Sequence, residues 1–196
     1  MFTGIIETLG QVQAIEQEGS NTHFKIQSEI TQELKVDQSV AHNGACLTVT
    51  QLEEDGYWVT AIEETLQKTN LGNWKVQDKI NLERSMLLNG RLDGHIVQGH
   101  VDQIATCILR EEKEGSWLFT FEYDAQKGNM TVEKGSICVN GVSLTVVEAY
   151  RTGFSVAIIP YTYHHTNFQT LQKGDIVNLE FDIIGKYVQK MLSHLK

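Results

Sequence analysis

Two seven-residue phrases carry the side chains with the most chemistry to offer. Residues 43–49 read Asn-Gly-Ala-Cys-Leu-Thr-Val and residues 140–146 read Asn-Gly-Val-Ser-Leu-Thr-Val, an offset of 97. The most reactive position is a thiol in one copy, Cys46, and a hydroxyl in the other, Ser143. Thr48 and Thr145 follow two residues later, so on a strand each half presents a pair of polar atoms on one face. A free cysteine usually packs as a small apolar residue. A position held by Cys in one copy and Ser in the other is better suited to a nucleophile or a hydrogen-bonding group. His95 and His100 bracket Ile96-Val97-Gln98-Gly99. Their spacing is loose for zinc and no cysteine pair accompanies them, so no metal is expected. A histidine there suits proton transfer, or a hydrogen bond to a heterocycle. His164-His165 reads as a solvated or ligand-lining pair. The chain has no GxGxxG, no P-loop and no Gly-x-Ser-x-Gly elbow, which speaks against nucleotide cofactors and serine hydrolysis.

The elements that must position these residues come in two copies. At the offset of 97, residues 39–83 align with 136–180 without a gap, and roughly a third of the positions are identical. Asn70/Asn167, Asn81/Asn178 and Glu83/Glu180 are among the matches. A small shift also pairs Gly4-Ile5-Ile6-Glu7 with Gly99-His100-Val101-Asp102. Short alternating runs such as Phe24-Lys25-Ile26, Tyr57–Ile62 and Lys79–Glu83 are separated by turn signals at Gly19-Ser20, Asn43-Gly44 and Asp55-Gly56, the pattern of a small antiparallel barrel. A repeat this long is a domain with its own core, and closure removes the exposed edges of its sheet. The fold expected is all-β: two tandem six-stranded antiparallel barrels, over residues 1–93 (with a linker at 85–93) and 94–182. The shared Asn-Gly turn and Leu-Thr-Val strand are expected to hold a ligand in each. The tail has no counterpart in the first half. Ile183, Ile184, Tyr187, Val188, Met191, Leu192 and Leu195 fall at 3-4 spacing, an amphipathic helix over 183–196. Such a helix is marginal alone, so its apolar stripe needs a partner. The heptad-like spacing favours the same helix of another subunit over its own barrel.

Bulk properties narrow the class. A net charge of −9 and a pI near 5.2 argue against a sequence-independent grip on nucleic acid, which needs clustered cations. Three cysteines without a CxxC argue for reduced thiols and a cytoplasmic setting. The first residues lack the basic and apolar regions of a signal peptide, and no window approaches the ~20 apolar residues of a membrane helix.

Five stretches, in order along nearly the whole chain, resemble the riboflavin synthase, or lumazine-binding, family: Met1-Phe2-Thr3-Gly4-Ile5-Ile6-Glu7, residues 41–49, Glu64-Thr65 with Thr69-Asn70-Leu71-Gly72, residues 94–102, and residues 140–146. The resemblance implies Greek-key barrels, a trimerisation helix and a homotrimer. It implies dismutation of two 6,7-dimethyl-8-ribityllumazine molecules, by four-carbon transfer, to riboflavin and 5-amino-6-(ribitylamino)uracil, with no metal or redox cofactor. Facing pockets come from the N-barrel of one subunit and the C-barrel of its neighbour. Carried over by position, the first is lined by Gly4, Ile5, Ile6, Cys46, Leu47 and Thr48, with Thr60, Ala61, Ile62, Glu63, Glu64 and Thr65. The second is lined by Gly99, His100, Val101, Lys134, Ser143, Leu144 and Thr145, with Ile159, Pro160, Tyr161, Thr162, Tyr163 and His164. His100 is the first choice for proton transfer, Ser143 and Thr145 for polarising or relaying, and Cys46 for a nucleophile or shaping residue. Asp182 is a further candidate against ribityl hydroxyls. One departure stands out. Tyr161-Thr162-Tyr163-His164-His165 replaces a stretch where the family usually has an acidic residue and Leu, and Phe168 replaces a usual Leu, so bulkier rings are expected to reshape the C-barrel pocket. A non-catalytic lumazine- or flavin-binding antenna protein of the same fold is the alternative, and the joint presence of Cys46, His95, His100 and Ser143 favours the enzyme.

Overall fold

The computed structural model describes residues 1–193; His194, Leu195 and Lys196 of the expected tail helix lie outside the described residues. Six strands, β1 (Thr8–Glu18), β2 (Asn21–Gln27), β3 (Ser39–His42), β4 (Ala45–Leu52), β5 (Tyr57–Ala61) and β6 (Lys79–Arg84), close into an antiparallel barrel in the order β1-β2-β5-β4-β3-β6. Six more, β7 (Gln103–Lys113), β8 (Ser116–Tyr123), β9 (Ser136–Val139), β10 (Val142–Tyr150), β11 (Gly153–Ile158) and β12 (Ile176–Phe181), repeat that order in a second closed barrel. Because β2 lies beside β5 and β3 beside β6, the connections are Greek-key. Even the bulges recur: Val12/Ala14 and Val49/Gln51 in the first barrel, Cys107/Leu109 and Val146/Glu148 in the second. A bulge adds local twist and bend, which a six-stranded sheet needs to close on itself.

Alternation fills each barrel. Phe24, Ile26, Val49, Val59, Ile80 and Leu82 meet in the first core, and Phe119, Phe121, Phe154, Val156, Val177 and Leu179 in the second. Helices α1 (Glu63–Lys68) and α2 (Pro160–His165) each follow the fifth strand of their barrel. The aromatic departure noted in the sequence is absorbed largely by packing. Phe168 is fully buried edge-on to Phe119, and Tyr163 is buried with its ring stacked on Trp117 at 3.7 Å. Tyr161 stays exposed, stacked on His165. Helix α3 (Ile183–Ser193) closes the described chain, with Ile184, Tyr187, Val188, Met191 and Leu192 all exposed.

The two Asn-Gly turns, expected to hold a ligand in each barrel, lie buried against one another. They form the joint between the barrels. Asn43 and Asn140 both have φ of 46°, followed by Gly44 at 81° and Gly141 at 83°, the left-handed pair of a two-residue hairpin. They abut so closely that a Cβ on Gly44 would lie 2.8 Å from the Gly141 nitrogen. Around them Asn81 Oδ1 accepts from the Asn167 N–H at 2.8 Å, and Asn178 Oδ1 accepts from the Asn70 N–H at 2.7 Å. The Asn43 Oδ1 and Asn140 Oδ1 atoms accept from the N–H groups of Asn81 and Asn178, each at 2.8 Å. All six asparagines are buried. The amides satisfy backbone groups that a dry interface would otherwise strand.

The barrels differ at one core position with a consequence for pH. His42 is fully buried, with Nδ1 3.0 Å from the Val40 carbonyl and Nε2 2.9 Å from the Tyr57 hydroxyl. A carbonyl only accepts, so Nδ1 carries the proton and Tyr57 donates to Nε2. Val139 and Phe154 occupy the equivalent places in the second barrel. Burial lowers the His42 pKa from 6.5 to about 4, with the Val40 carbonyl pulling it partly back. The depressed value means that stability is intact above pH 6.5 and is lost as pH falls towards 4, by roughly 3 kcal/mol in all. Replacing the pair with its counterparts, His42→Val with Tyr57→Phe, is expected to flatten the dependence of Tm on pH between 6.5 and 4; an unchanged slope would assign it to other groups.

Candidate functional site

Two extended segments, residues 1–7 and 94–102, run as straps between the barrels. They pair at Phe2 and Val97, whose N–H and C=O groups exchange hydrogen bonds at 2.7 and 3.1 Å. Each strap is anchored on one barrel and laid over the other. Glu83, at the end of β6, accepts from the Thr3 N–H, Thr3 hydroxyl and Gly4 N–H at 2.6, 2.7 and 2.9 Å. Its counterpart Glu180, at the end of β12, accepts from the N–H groups of Gln98, Gly99 and His100 at 2.6, 2.9 and 2.8 Å. Burial raises both carboxyl pKa values; the donors pull them back, joined for Glu180 by the charge of Lys186.

From these anchors the straps cross. The Gly4 carbonyl accepts from the Ser143 N–H at 2.7 Å, and Ile6 packs on the second core. The Gly99 carbonyl accepts from the Cys46 N–H at 2.8 Å, and Val101 packs on the first core. The grouping expected from sequence is therefore corrected: in this chain Gly4, Ile5 and Ile6 belong with Ser143, and Gly99, His100 and Val101 with Cys46. The reason is steric as well as hydrogen-bonded. At φ of +77° and +80°, Gly4 and Gly99 bring their backbones so near that an added Cβ would lie 2.6 Å from the Ser143 and Cys46 Cβ atoms respectively.

The two faces that result are alike in fold and unlike in chemistry. On the first, Cys46 is half-buried against an apolar cluster of Phe2, Ala41, Val97 and Cys138, with Thr48 exposed beyond it. On the second, Ser143 Oγ lies 2.6 Å from Nδ1 of His95, with Thr145 exposed beyond it. Burial pushes the His95 pKa below its ordinary value, and the negative charge of Asp182 pulls it part of the way back. The lowered value favours the neutral ring, in which Nδ1 accepts from the Ser143 hydroxyl or donates to it according to the tautomer.

Not every residue expected at the site turns its side chain there. Leu47, Ala61 and Tyr163 are buried in the barrel cores, and Leu144 packs against the second. Thr60, Thr65 and Thr162 are half-buried. Ile62, Glu63, Glu64, Ile159, Pro160, Tyr161 and His164 are exposed around α1 and α2. Lys134 is an exposed turn residue at φ of 63°, donating its N–H to the Val146 carbonyl. His100 is exposed and on the Cys46 face, away from Ser143 in this chain. The sequence ranks His100 ahead of His95 and assigns no role to Glu83 or Glu180. His95 was one of two spaced histidines, without a signal to rank it above His100. Glu83 and Glu180 were visible as a matched pair in the repeat, but nothing local said that they end buried.

A family model described as the lumazine binding domain matches twice, over residues 3–85 and 98–182. Among curated relatives, a protein named riboflavin synthase from Actinobacillus pleuropneumoniae is 38% identical, covering 98% of this chain and 90% of its own. Namesakes from Bacillus subtilis (strain 168) and Mycobacterium bovis are each 38% identical, again over 98% of this chain and over 90% and 98% of theirs. Among solved structures, LumP complexed with 6,7-dimethyl-8-(1'-D-ribityl) lumazine and with riboflavin align with TM-scores of 0.84 and 0.85 at 23% identity, over 92% of this chain and 98% and 99% of theirs. That likeness shows a shared fold.

Proposed function

The chain belongs to the riboflavin synthase family, with a lumazine-binding domain in each half, and from that premise we propose that it is a transferase dismutating two molecules of 6,7-dimethyl-8-ribityllumazine. One molecule gives a four-carbon unit to the other, forming riboflavin and 5-amino-6-(ribitylamino)uracil. The observation that carries this reading is the pairing of equivalent faces with unlike chemistry. Two identical substrates must play unlike parts, and here one face has a half-buried thiol in an apolar cluster while the other has a hydroxyl against a neutral histidine. A carrier needs no such difference.

The unlike chemistry of the two faces supports one division of roles. At the second face, His95 withdraws the Ser143 proton, which makes the hydroxyl, or a water beside it, able to add at C7 of one lumazine. At the first face, exposed His100 is placed to accept a proton from the C7 methyl of the other, with Cys46 shaping the ring's bed. Holding both rings in register lowers the entropic cost of an encounter between like molecules. Much of the acidity is the substrate's own, so orientation contributes as much as any one base.

The faces lie on the outside of the barrels and are completed in this reading by assembly, the first face of one subunit meeting the second face of its neighbour in a homotrimer. The exposed stripe of α3 supports such an assembly, as does the groove of about 670 Å³ between α3 and the second barrel, lined by Met130, Val132, Ile184, Val188 and Leu192. Deleting residues 183–196 is expected to lower the sedimentation coefficient while leaving both barrels folded; an unchanged profile would remove α3 from the interface. We propose a cytoplasmic setting from the three cysteines without a CxxC, which suit a reducing compartment. Among the described residues no helix is long and apolar enough to cross a membrane.

Incubation with the lumazine tests the function. Riboflavin fluorescence rising in step with the aminouracil is expected. Lumazine that binds and is recovered unchanged would instead make the protein an antenna or carrier.

A further inference from the structure

The two straps are held by equivalent pairs of carboxylates whose counter-cations come from different places. On the first, Glu83 is joined by Glu7, which accepts from the Arg84 N–H at 2.6 Å. On the second, Glu180 is joined by Asp102, which accepts from the Phe181 N–H at 2.8 Å. Arg84 and Phe181 are equivalent in the repeat, as are Glu7 and Asp102. In the first half the cation is local: the Arg84 guanidinium itself bonds Glu7 at 2.8 and 2.6 Å, beside the backbone contact. In the second half Phe181 offers no charge. The cation is Lys186, on α3, whose Nζ sits 2.8 and 2.7 Å from the two Asp102 oxygens. Both side chains are about three-quarters or more buried, at 24% and 20% exposed.

We propose that Lys186, Asp102 and Glu180 are positioning residues that transmit the seating of α3 to the strap carrying Gly99 and His100, and so chiefly to the Cys46 face. This rests on the function proposed above. The physical chain is short. A mostly buried carboxylate is costly without its cation. Removing Lys186 leaves Asp102 seeking water and loosens its hold on the Phe181 N–H, at the point where the strap joins β7. The same loss removes the positive charge near Glu180, whose three N–H contacts fix residues 98–100. Residues 3–7 take their own clamp from Glu83 and from Arg84 on Glu7, with no bond to Lys186, and meet the second strap only where Phe2 pairs with Val97 and the Thr3 carbonyl accepts from His95. Since α3 is also the element offered to other subunits, the state of assembly is read out more strongly on the Cys46 face than on the other.

The first strap serves as an internal control. In the Lys186→Met protein, amide hydrogen exchange of residues 98–102 is expected to rise about tenfold while that of 3–7 stays unchanged. With it, kcat falls about tenfold and KM changes by less, because loosening the strap misplaces His100 without removing any group that lines the pocket. Lys186→Arg should restore both readouts, as the fork still reaches Asp102. If Lys186→Met unseats α3, Asp102→Asn removes the same charge pair from the barrel side and must give the same contrast between straps. Equal rises in both straps, or a rise in neither, would overturn the relay. A parent protein that fails to convert lumazine would instead strike at the proposed reaction, and the exchange contrast would still decide the relay.

Discussion

Replacing His95 by alanine is expected to lower kcat by about two orders of magnitude, the usual scale for removing a placed acid–base group. Ser143→Ala should fall in the same range, and the double variant should be little worse than the worse single one, because the two atoms 2.6 Å apart act as one unit. Cys46→Ser should cost less, since the first face contains no equivalent histidine contact to disable. The pH profile gives an independent reading. Burial holds the His95 pKa below the ordinary histidine value, so its neutral, proton-accepting form persists into mildly acidic solution. The acid limb of kcat therefore lies below pH 6.5 and should disappear in His95→Ala. Full turnover in the single variants, or an acid limb that survives in His95→Ala, would take the pair out of the reaction.

The second large effect comes from a residue with no side chain. A Cβ on Gly94 would lie 2.0 Å from the Thr3 carbonyl oxygen and 2.8 and 2.9 Å from Cβ and Oγ of Ser143. The first two of these neighbours are fixed, one by the backbone and one by the strand. The Thr3 carbonyl also accepts from the His95 N–H at 3.1 Å, so the two straps and the dyad meet at this spot. Gly94→Ala must therefore push the straps apart. It is expected to cost about 3 kcal/mol of stability and, by shifting His95 by about an ångström, on the order of a hundredfold in kcat. Gly115→Ala is the comparison, at φ of +79° in a turn with nothing within 4 Å. There only the backbone strain remains, about 1–2 kcal/mol, with no change in kcat. Denaturant midpoints and turnover measured side by side would settle it; equal behaviour of the two variants would mean that the straps are not packed as described.

What the sequence made legible was local or periodic. Alternation in runs such as Tyr57–Ala61, the Asn-Gly turns and the 97-residue match disclose the strands, the hairpins and the duplication. The 3-4 spacing of Ile184, Tyr187, Val188, Met191 and Leu192 discloses the helix and its exposed stripe. Leu47, expected beside Cys46 in the pocket lining, instead points into the barrel core. What stayed hidden was partnership at a distance. The repeat shows that Gly4 and Gly99 are equivalent, but a strap folded onto its own barrel and one exchanged with the other produce the same sequence pattern. Only the contacts of Gly4 with Ser143 and of Gly99 with Cys46 choose between them. The same gap explains the Asn-Gly turns: their sequence fixes their conformation but not what they abut. It also explains His95, since nothing near residue 95 announces a serine 48 positions away.

Exchange of straps within one chain has a consequence for how unlike the two faces can become. Two separate copies of a single repeat would have to find each other in solution, whereas the link at residues 85–93 holds them at an effective concentration in the millimolar range. Against micromolar partners that is a gain of about a thousandfold, or roughly 4 kcal/mol. The larger gain is in freedom from symmetry. In a pair of identical chains every substitution appears on both faces, and a histidine set against one reactive hydroxyl would be set against the other as well. Fusion lifts that constraint, so a thiol and a hydroxyl–imidazole pair can sit at equivalent points of one molecule and treat the same compound in two different ways.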